Sequence, residues 1–546
     1  MSSVTRTATT ASALTSLLLA GAVACAEETP PSPDPAKLEA DGAVVGKIAL
    51  NKLDVFDTSN PKESGWFYRV ANKLHIITKD KVIEKQLLLE PGDKYSKRLS
   101  DESERILRDN LYFYDASIRP VNAHDGVVDL EVTTRDVWTL NPGFSFGRKG
   151  GENTTSVNIR EVNLLGTGQL VQISRSEGVD RVSKSIQYQD KHIGRSWVSG
   201  TAFYSKNSDG KETFLEAVRP FYALDTRWSA GTTYLDNELR TVVYDLGNRY
   251  AEYLQDSRYL SAFGGWSAGL RGGWVRRYKA GVVYDENRFG DVPGGNLLQI
   301  VPPDRKLVYP FLGIEVLQNS FETTTNRDQI HKTEDFLTGT RFAASLGWSD
   351  ESFGADRNAL VYSASFSRLF GSLDGAALQL YTTAKGRLEH GANVNSLAEV
   401  DARYSYRLSE KSTFFASAAG TVGHDLDLDN LVELGGDTGL RGYPLRYQTG
   451  TSKVLLSVEQ RYFSDWYPFR LVRVGGAVFA DAGRSYGDHP FGGQELGWLR
   501  DVGIGLRIAP TRTGSGRIVH IDLAFPLDGD PSIDSVQLII ETKTSF

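Results

Sequence analysis

What most constrains this 546-residue chain is an alternation of strand period in which one face is apolar and the other is charged. In ALVYSASFSRLF, Leu360, Tyr362, Ala364 and Phe366 share one face while Ser363, Ser365 and Ser367 share the other. In ALQLYTTAKGRLE, Leu378, Leu380, Ala384 and Leu388 oppose Gln379, Thr383, Lys385, Arg387 and Glu389. A soluble barrel packs its apolar faces around a dry core, and a face carrying Lys385, Arg387 and Glu389 is too charged for the alternative. The apolar faces must then meet a bilayer, and because lipid offers no partner to a strand edge, the sheet has to close. Roughly 20 segments between Gly143 and Phe546 have the ~9–11 residues that a tilted membrane strand needs. The fold class predicted is an all-β transmembrane antiparallel β-barrel.

Composition agrees. The chain has 54 Gly and 58 aromatic residues but one Cys and one Met, a palette that helix-rich enzymes seldom use. No stretch reaches the roughly 18 consecutive apolar residues of a spanning helix. A formal charge of −7 offers no broad basic face, so nucleic acid is excluded as a partner.

The N-terminus places Arg6 before an apolar stretch, Ala11 to Val23, and the small triplet Ala24-Cys25-Ala26, which is the order of a signal peptide over residues 1–26. A second reading makes Cys25 a lipidated N-terminus. Residues 27–44, opening EETPPSPDPAKLEAD, are rich in Pro and acids and are expected to form an unfolded linker. From Val45 to Val137 the pattern is that of a compact α/β unit. A first strand over VVGKIALNKLDVF precedes a helix at WFYRVANKLHI and a second helix capped by Ser100 and carrying Glu104, Ile106 and Leu107. Two strands, Asp115 to Val121 and Val127 to Thr134, close it around Asn122, Asp125 and Gly126. A small sheet with a free edge can accept an extended client as an added strand.

LLLEPGDKYS, ERILRDNLYFYDASI and VVDLEV resemble a POTRA domain, the periplasmic module that precedes the barrels of the BamA/TamA superfamily. The resemblance spans roughly residues 45–137, departs from the family pattern between Asp57 and Ile76, and leaves room for one such domain. In residues 138–546, LVELGGDTGLRGYPLRY holds Gly439-Leu440-Arg441-Gly442-Tyr443, which is similar to the loop that folds back into the lumen in that family. Period alone puts Glu459 and Arg461 of KVLLSVEQRYF on the polar face, and Phe479 with Asp481 of RVGGAVFADAGRSY on one face. The resemblance implies a latch of Arg441, Gly442 and Tyr443 closed on Glu459 and Asp481, where a charge-assisted bidentate pair is strong. NLLGTGQ, Asn163 to Gln169, is similar to the family's turn after its second strand.

The resemblance further implies 16 barrel strands; the surplus over that number falls mainly between Arg227 and Gln318 and is assigned to loop hairpins. At the C-terminus Val536, Leu538, Ile540 and Phe546 share one face and look like the lipid-facing sorting signal of outer-membrane barrels, although Thr544 stands where a second aromatic is usual. The barrel seam is expected between Phe144 to Arg148 and Val536 to Phe546. The family implies an outer membrane protein with its POTRA domain in the periplasm, assisting the insertion or translocation of other polypeptides. Its partners would be outer-membrane lipids and lipopolysaccharide, unfolded barrel or secreted clients, and periplasmic chaperones or accessory lipoproteins. Alternatives are a two-partner-type secretion translocator and a passive channel tuned by Lys385, Arg387 and Glu389.

No enzyme, cofactor or metal is expected. GFSFG around Ser145 and GWSAG around Ser267 match the nucleophile-elbow string, but neither lies between a buried strand and a helix. The eight His are dispersed, and Asp425, Asp427 and Asp429 lack the Gly and the final acid of a calcium loop, so they are expected to form a solvated acidic loop.

Overall fold

The computed structural model describes residues 33–194, 196–487, 496–514 and 516–546. The expected leader, its Cys25 and the start of the linker lie outside the described residues. Between Asp34 and Val44 the chain is folded, which corrects the linker expectation for these residues. The Asp34 carboxylate accepts the Ala36 N–H at 3.0 Å and Pro35 occupies the first turn of a short helix, Pro35–Ala40. Its Leu38 is buried among Val45, Val82, Ile83, Leu89 and Leu107. Proline and aspartate disfavour helix interiors but favour helix starts, and one leucine tethers the turn.

Val44–Leu53 runs parallel to Val127–Asp136, which pairs antiparallel with Phe113–His124 across Asp125 and Gly126, both at positive φ. Helices Trp66–Leu74, Asp80–Glu84 and Lys97–Arg108 lie between the first two of these strands, one short helix more than the sequence pattern suggests. Ser100 is not the cap. The pairs Lys97–Asp101 and Arg98–Glu102 carry the helix a turn further upstream, and the buried Ser100 hydroxyl donates to the Ser96 carbonyl.

From Leu140–Lys149 to Gln537–Lys543, 20 antiparallel strands close into one barrel, which corrects the expected 16. The segments set aside as loop hairpins are wall: Trp228–Asp245, Asn248–Arg271, Trp274–Gly290 and Arg305–Gln318 pair in register, neighbour to neighbour. Asn248–Arg271 has 24 residues, more than twice the ~9–11 that cross a bilayer, so this part of the wall stands proud of the membrane. The ion pair Arg240–Glu252 lies on that extension, and Arg258–Asp236 and Lys211–Glu238 lie at its base. Its charges blur the alternation that marks the other strands.

Around the wall, Ile159, Ile173, Leu312, Val478 and Ile504 face outward and are exposed, whereas Arg387, Glu459, Arg461, Asp481 and Arg507 are buried inside. That is the inverse of a soluble barrel and calls for hydrocarbon outside the ring. The N-terminal module docks at one end. There Asn163, in the turn after the second barrel strand, donates to the Thr78 hydroxyl at 2.8 Å, and the Arg512 guanidinium donates to the Val55 carbonyl and to Glu63.

Val536 and Leu538 face outward as their spacing requires, but Phe546 does not join them on the lipid face. Its strand ends at Lys543, and the last residues turn inward, so that the Phe546 N–H donates to the Asp328 carbonyl at 2.7 Å. Its ring, 3% exposed, packs 4.6 Å from that of Phe463, with Ile330 and Ile518 around it. Strand parity holds only while the chain stays extended. Phe546→Ala should therefore cost about 3–5 kcal/mol of barrel stability, read as a lower urea midpoint for loss of the compact, heat-modifiable form on gels. A surface sorting residue would leave that midpoint in place.

Candidate functional site

Three neighbouring strands, Ser452–Phe463, Val472–Tyr486 and Leu499–Pro510, set Ser457, Asp481 and Asp501 opposite one another in one row on the inner wall. One step along, the row is Glu459, Phe479 and Gly503. A Cβ on Gly503 would collide with the Phe479 ring, so this glycine makes room for the ring to lie flat in the lumen. Over that ring, 3.4 Å from its centroid, sits the Arg441 guanidinium.

Arg441 belongs to the loop 425–451, which folds into the barrel from the end opposite the module. Its Nε and Nη2 donate to the two Asp481 oxygens at 2.6 and 2.8 Å, Nη1 donates to Glu459 at 2.8 Å, and Nη2 also reaches the Ser457 hydroxyl at 3.2 Å. Asp522 lies 3.7 Å away. The next residue donates its N–H to Asp501 at 2.9 Å, and a side chain at Gly442 would place its Cβ 2.6 Å from that of Asp501. Tyr443 is fully buried against Leu434, Leu440 and Leu499, and its hydroxyl donates to the Arg500 and Asp528 carbonyls. Arg441, Gly442, Tyr443, Glu459 and Asp481 thus meet in one place.

Asp427 and Asp429 are not solvated, which corrects the expectation for the acidic loop. Arg305 donates to both of them, and Arg387 holds Asp427 and Glu389 in a second cluster nearer the loop's start. A third tie joins Arg446 to Asp180 at 2.8 Å, stacked on Tyr244. The sequence pattern does not mark these arginines as loop partners. Period assigns Arg387 to the lumen, but nothing local in the sequence pairs it with an acid forty residues on.

From the module end a second hairpin, Phe321–Thr324 with Glu334–Leu337, caps the mouth. Arg108 of the module grips its Asp335 through two bonds of 2.7 Å, and the Arg461 guanidinium reaches its Arg327 carbonyl. Burial first, and then Asp328, push the Glu334 carboxyl up to about 7 from 4.5. The docked hairpin therefore holds a proton that a released hairpin gives up. This contribution to docking is complete below pH 4.5 and is lost as pH rises through about 7. Amides 326–331, corrected for intrinsic rate, should exchange faster at pH 8 than at pH 5, and Glu334→Gln should flatten the difference.

The ring closes weakly. Leu140–Lys149 and Glu152–Glu161 pair from Leu140 opposite Glu161 to Lys149 opposite Glu152, whereas Gln537–Lys543 meets Leu140–Lys149 in register only where Ile540 faces Arg148. A 2.6 Å ion pair, Lys149 to Glu541, bridges the same place. From Leu140 to Phe146 the seam-facing backbone has no strand partner among the described residues, and Phe144 beside it is exposed. Ser145 and Ser267 both lie within barrel strands. In the module, Val44–Leu53 is covered on its outer edge only as far as Val45, by bonds to Gly92 and Asp93.

No family model matches the chain. A protein of Treponema pallidum (strain Nichols), provisionally named an outer membrane protein assembly factor, is 30% identical over 122 residues, which span 21% of this chain and 14% of that protein's length. Among solved structures, BamA from Haemophilus ducreyi lacking POTRA domains 1-3 aligns over 91% of this chain and 84% of its own, at 13% identity and a TM-score of 0.36. CdiB from Acinetobacter baumannii aligns over 92% of this chain and 73% of its own, at 13% identity and a TM-score of 0.45.

Proposed function

We propose that this chain is an outer-membrane assembly or translocation factor of the BamA/TamA kind, a single POTRA domain in the periplasm feeding client polypeptide to the barrel. The observation that carries this reading is the weak seam. A wall whose other neighbouring strands pair over seven residues or more, but which is joined here at Ile540 and Arg148 alone, offers a row of unsatisfied backbone groups beside lipid. In hydrocarbon each such group is costly, and a client strand laid against Leu140 to Phe146 would satisfy them. Backbone bonds are exchanged rather than lost, so the step needs no nucleotide and we assign no reaction, cofactor or metal. The open edge of Val44–Leu53 is where a client would first add as a strand. The loop held by Arg441 keeps the lumen shut meanwhile. The name of the Treponema pallidum relative supports the same reading. Lipopolysaccharide and outer-membrane lipid surround the wall, and periplasmic chaperones or accessory lipoproteins would deliver clients.

A luminal cavity of about 940 Å³, lined by Lys279, Arg305, Lys385 and Arg387, favours a second reading, passage of one dedicated secreted partner through the lumen. Reconstitution of the purified chain in liposomes separates the possibilities. Faster insertion of unfolded barrel substrates is the expected result, and steady conductance with no effect on insertion would leave a passive channel.

A further inference from the structure

The helix Trp66–Leu74 is built inside out. Successive residues of an α-helix turn by about 100°, which gathers Trp66, Phe67, Val70 and Leu74 on one narrow arc and puts Tyr68 and Asn72 opposite. In a soluble module the apolar arc would face the core. Here the core side is the polar one: Asn72 exchanges both amide bonds with the Phe56 backbone, at 2.8 and 3.0 Å, and the Tyr68 ring packs 4.9 Å from that of Phe56. The apolar arc points away, Trp66 72% and Leu74 68% exposed, and no residue of the helix is buried. Arg69 and Lys73 flank the arc.

Where the helix sits matters as much as how it faces. The Tyr68 hydroxyl donates to the Phe469 carbonyl at 3.1 Å. Phe469 and Trp466 lie exposed in the turn between barrel strands Ser452–Phe463 and Val472–Tyr486, whose outward Val458, Tyr462 and Val478 belong to the lipid-facing belt. The Arg512 bonds to Val55 and Glu63 fasten the segment leading into the helix to the same rim. Exposed apolar side chains thus stand on the wall, on the rim turn and on the helix fastened beside it.

We propose that Trp66–Leu74 is an interfacial anchor, lying in the headgroup region of the leaflet at the module end with Trp66, Phe67, Val70 and Leu74 in the acyl boundary. Such helices sit roughly 5–10 Å into that boundary, with cationic side chains snorkelling to the phosphates, the part open to Arg69 and Lys73. The anchor fixes the module's orientation on the membrane, so that its open edge stays at a constant height above the seam. This placement rests on the barrel lying in a bilayer and is independent of what the barrel handles.

The test uses the full chain in phosphatidylglycerol-containing nanodiscs, with Cys25→Ala as background and one environment-sensitive fluorophore at Val70→Cys, Val478→Cys or Ala123→Cys. Doxyl-labelled lipids should quench Val478 and Val70, more strongly from shallow than from deep positions at Val70, and leave Ala123 unaffected. Quenching at Val478 without quenching at Val70 would overturn the anchor and keep the barrel in lipid. Loss of quenching at Val478 would sink both. Protection of Val70 from aqueous iodide that grows with protein-to-lipid ratio, with no doxyl quenching, would give the face to a second copy and also overturn the anchor.

Discussion

Replacing Arg441 by Ala is expected to release the inner part of the loop 425–451 from the lumen. The side chain spends its donors on Asp481, Glu459 and Ser457 and lies on the Phe479 ring, with 5% of its surface exposed. Its removal leaves Asp481 and Glu459 buried with less countercharge, and breaking a buried pair from one side costs about 3–5 kcal/mol. At 1.4 kcal/mol per factor of ten, that is a rise of about two to three and a half powers of ten in the released population. Arg441→Lys keeps the charge but not the fork and should fall between the two. Release should be partial. Arg305 and Arg387 still hold Asp427 and Asp429, and Arg446 still holds Asp180, so residues 435–444 should become open to protease while 425–431 stay protected. Conductance in planar bilayers should rise in parallel. Protection of Tyr443 unchanged from the parent would show that the arginine is not what holds the loop.

Which parts of this arrangement could be read before folding follows from the range of the interaction behind each. The inward direction of Glu459, Arg461 and Asp481 is a matter of period two along a strand with lipid on one side, and it needs no partner to be known. That Arg441 meets them required a family resemblance, because no local rule joins a loop residue to strands on the far side of a lumen. Asp427 and Asp429 had no such help, and an acidic run with its cations at Arg305 and Arg387 looks like a solvated one. Strand number failed differently: charges on the part of Asn248–Arg271 outside the membrane interrupt the alternation, so wall resembled loop hairpin. Phe546 has the right parity for lipid, but parity says nothing once the chain leaves its strand at Lys543. Helical spacing in WFYRVANKLHI marked an amphipathic helix correctly and was silent on which medium its apolar arc meets.

Locking the seam should abolish client insertion without unfolding the barrel. Arg148 and Ile540 are direct cross-strand partners, and such Cα atoms lie about 4.5–5.5 Å apart, inside the range a disulfide spans. Arg148→Cys with Ile540→Cys should therefore form a bond under oxidation, seen as a shift in gel mobility that reductant reverses. Insertion of unfolded barrel substrate into liposomes should fall to the rate of empty liposomes and recover when the bond is reduced. Ile159→Cys with Ile173→Cys, partners facing lipid elsewhere in the wall, should cross-link without effect, because no strand needs to part there. The lock also separates the two directions of traffic. A secretion translocator passes its substrate through the lumen, so a locked seam would leave it working, and a tether on the Arg441 loop would stop it. An insertase at the seam shows the opposite pattern. Full insertion activity with a quantitatively oxidised seam would mean that the thin pairing at Ile540 is only where a ring of twenty strands happens to end.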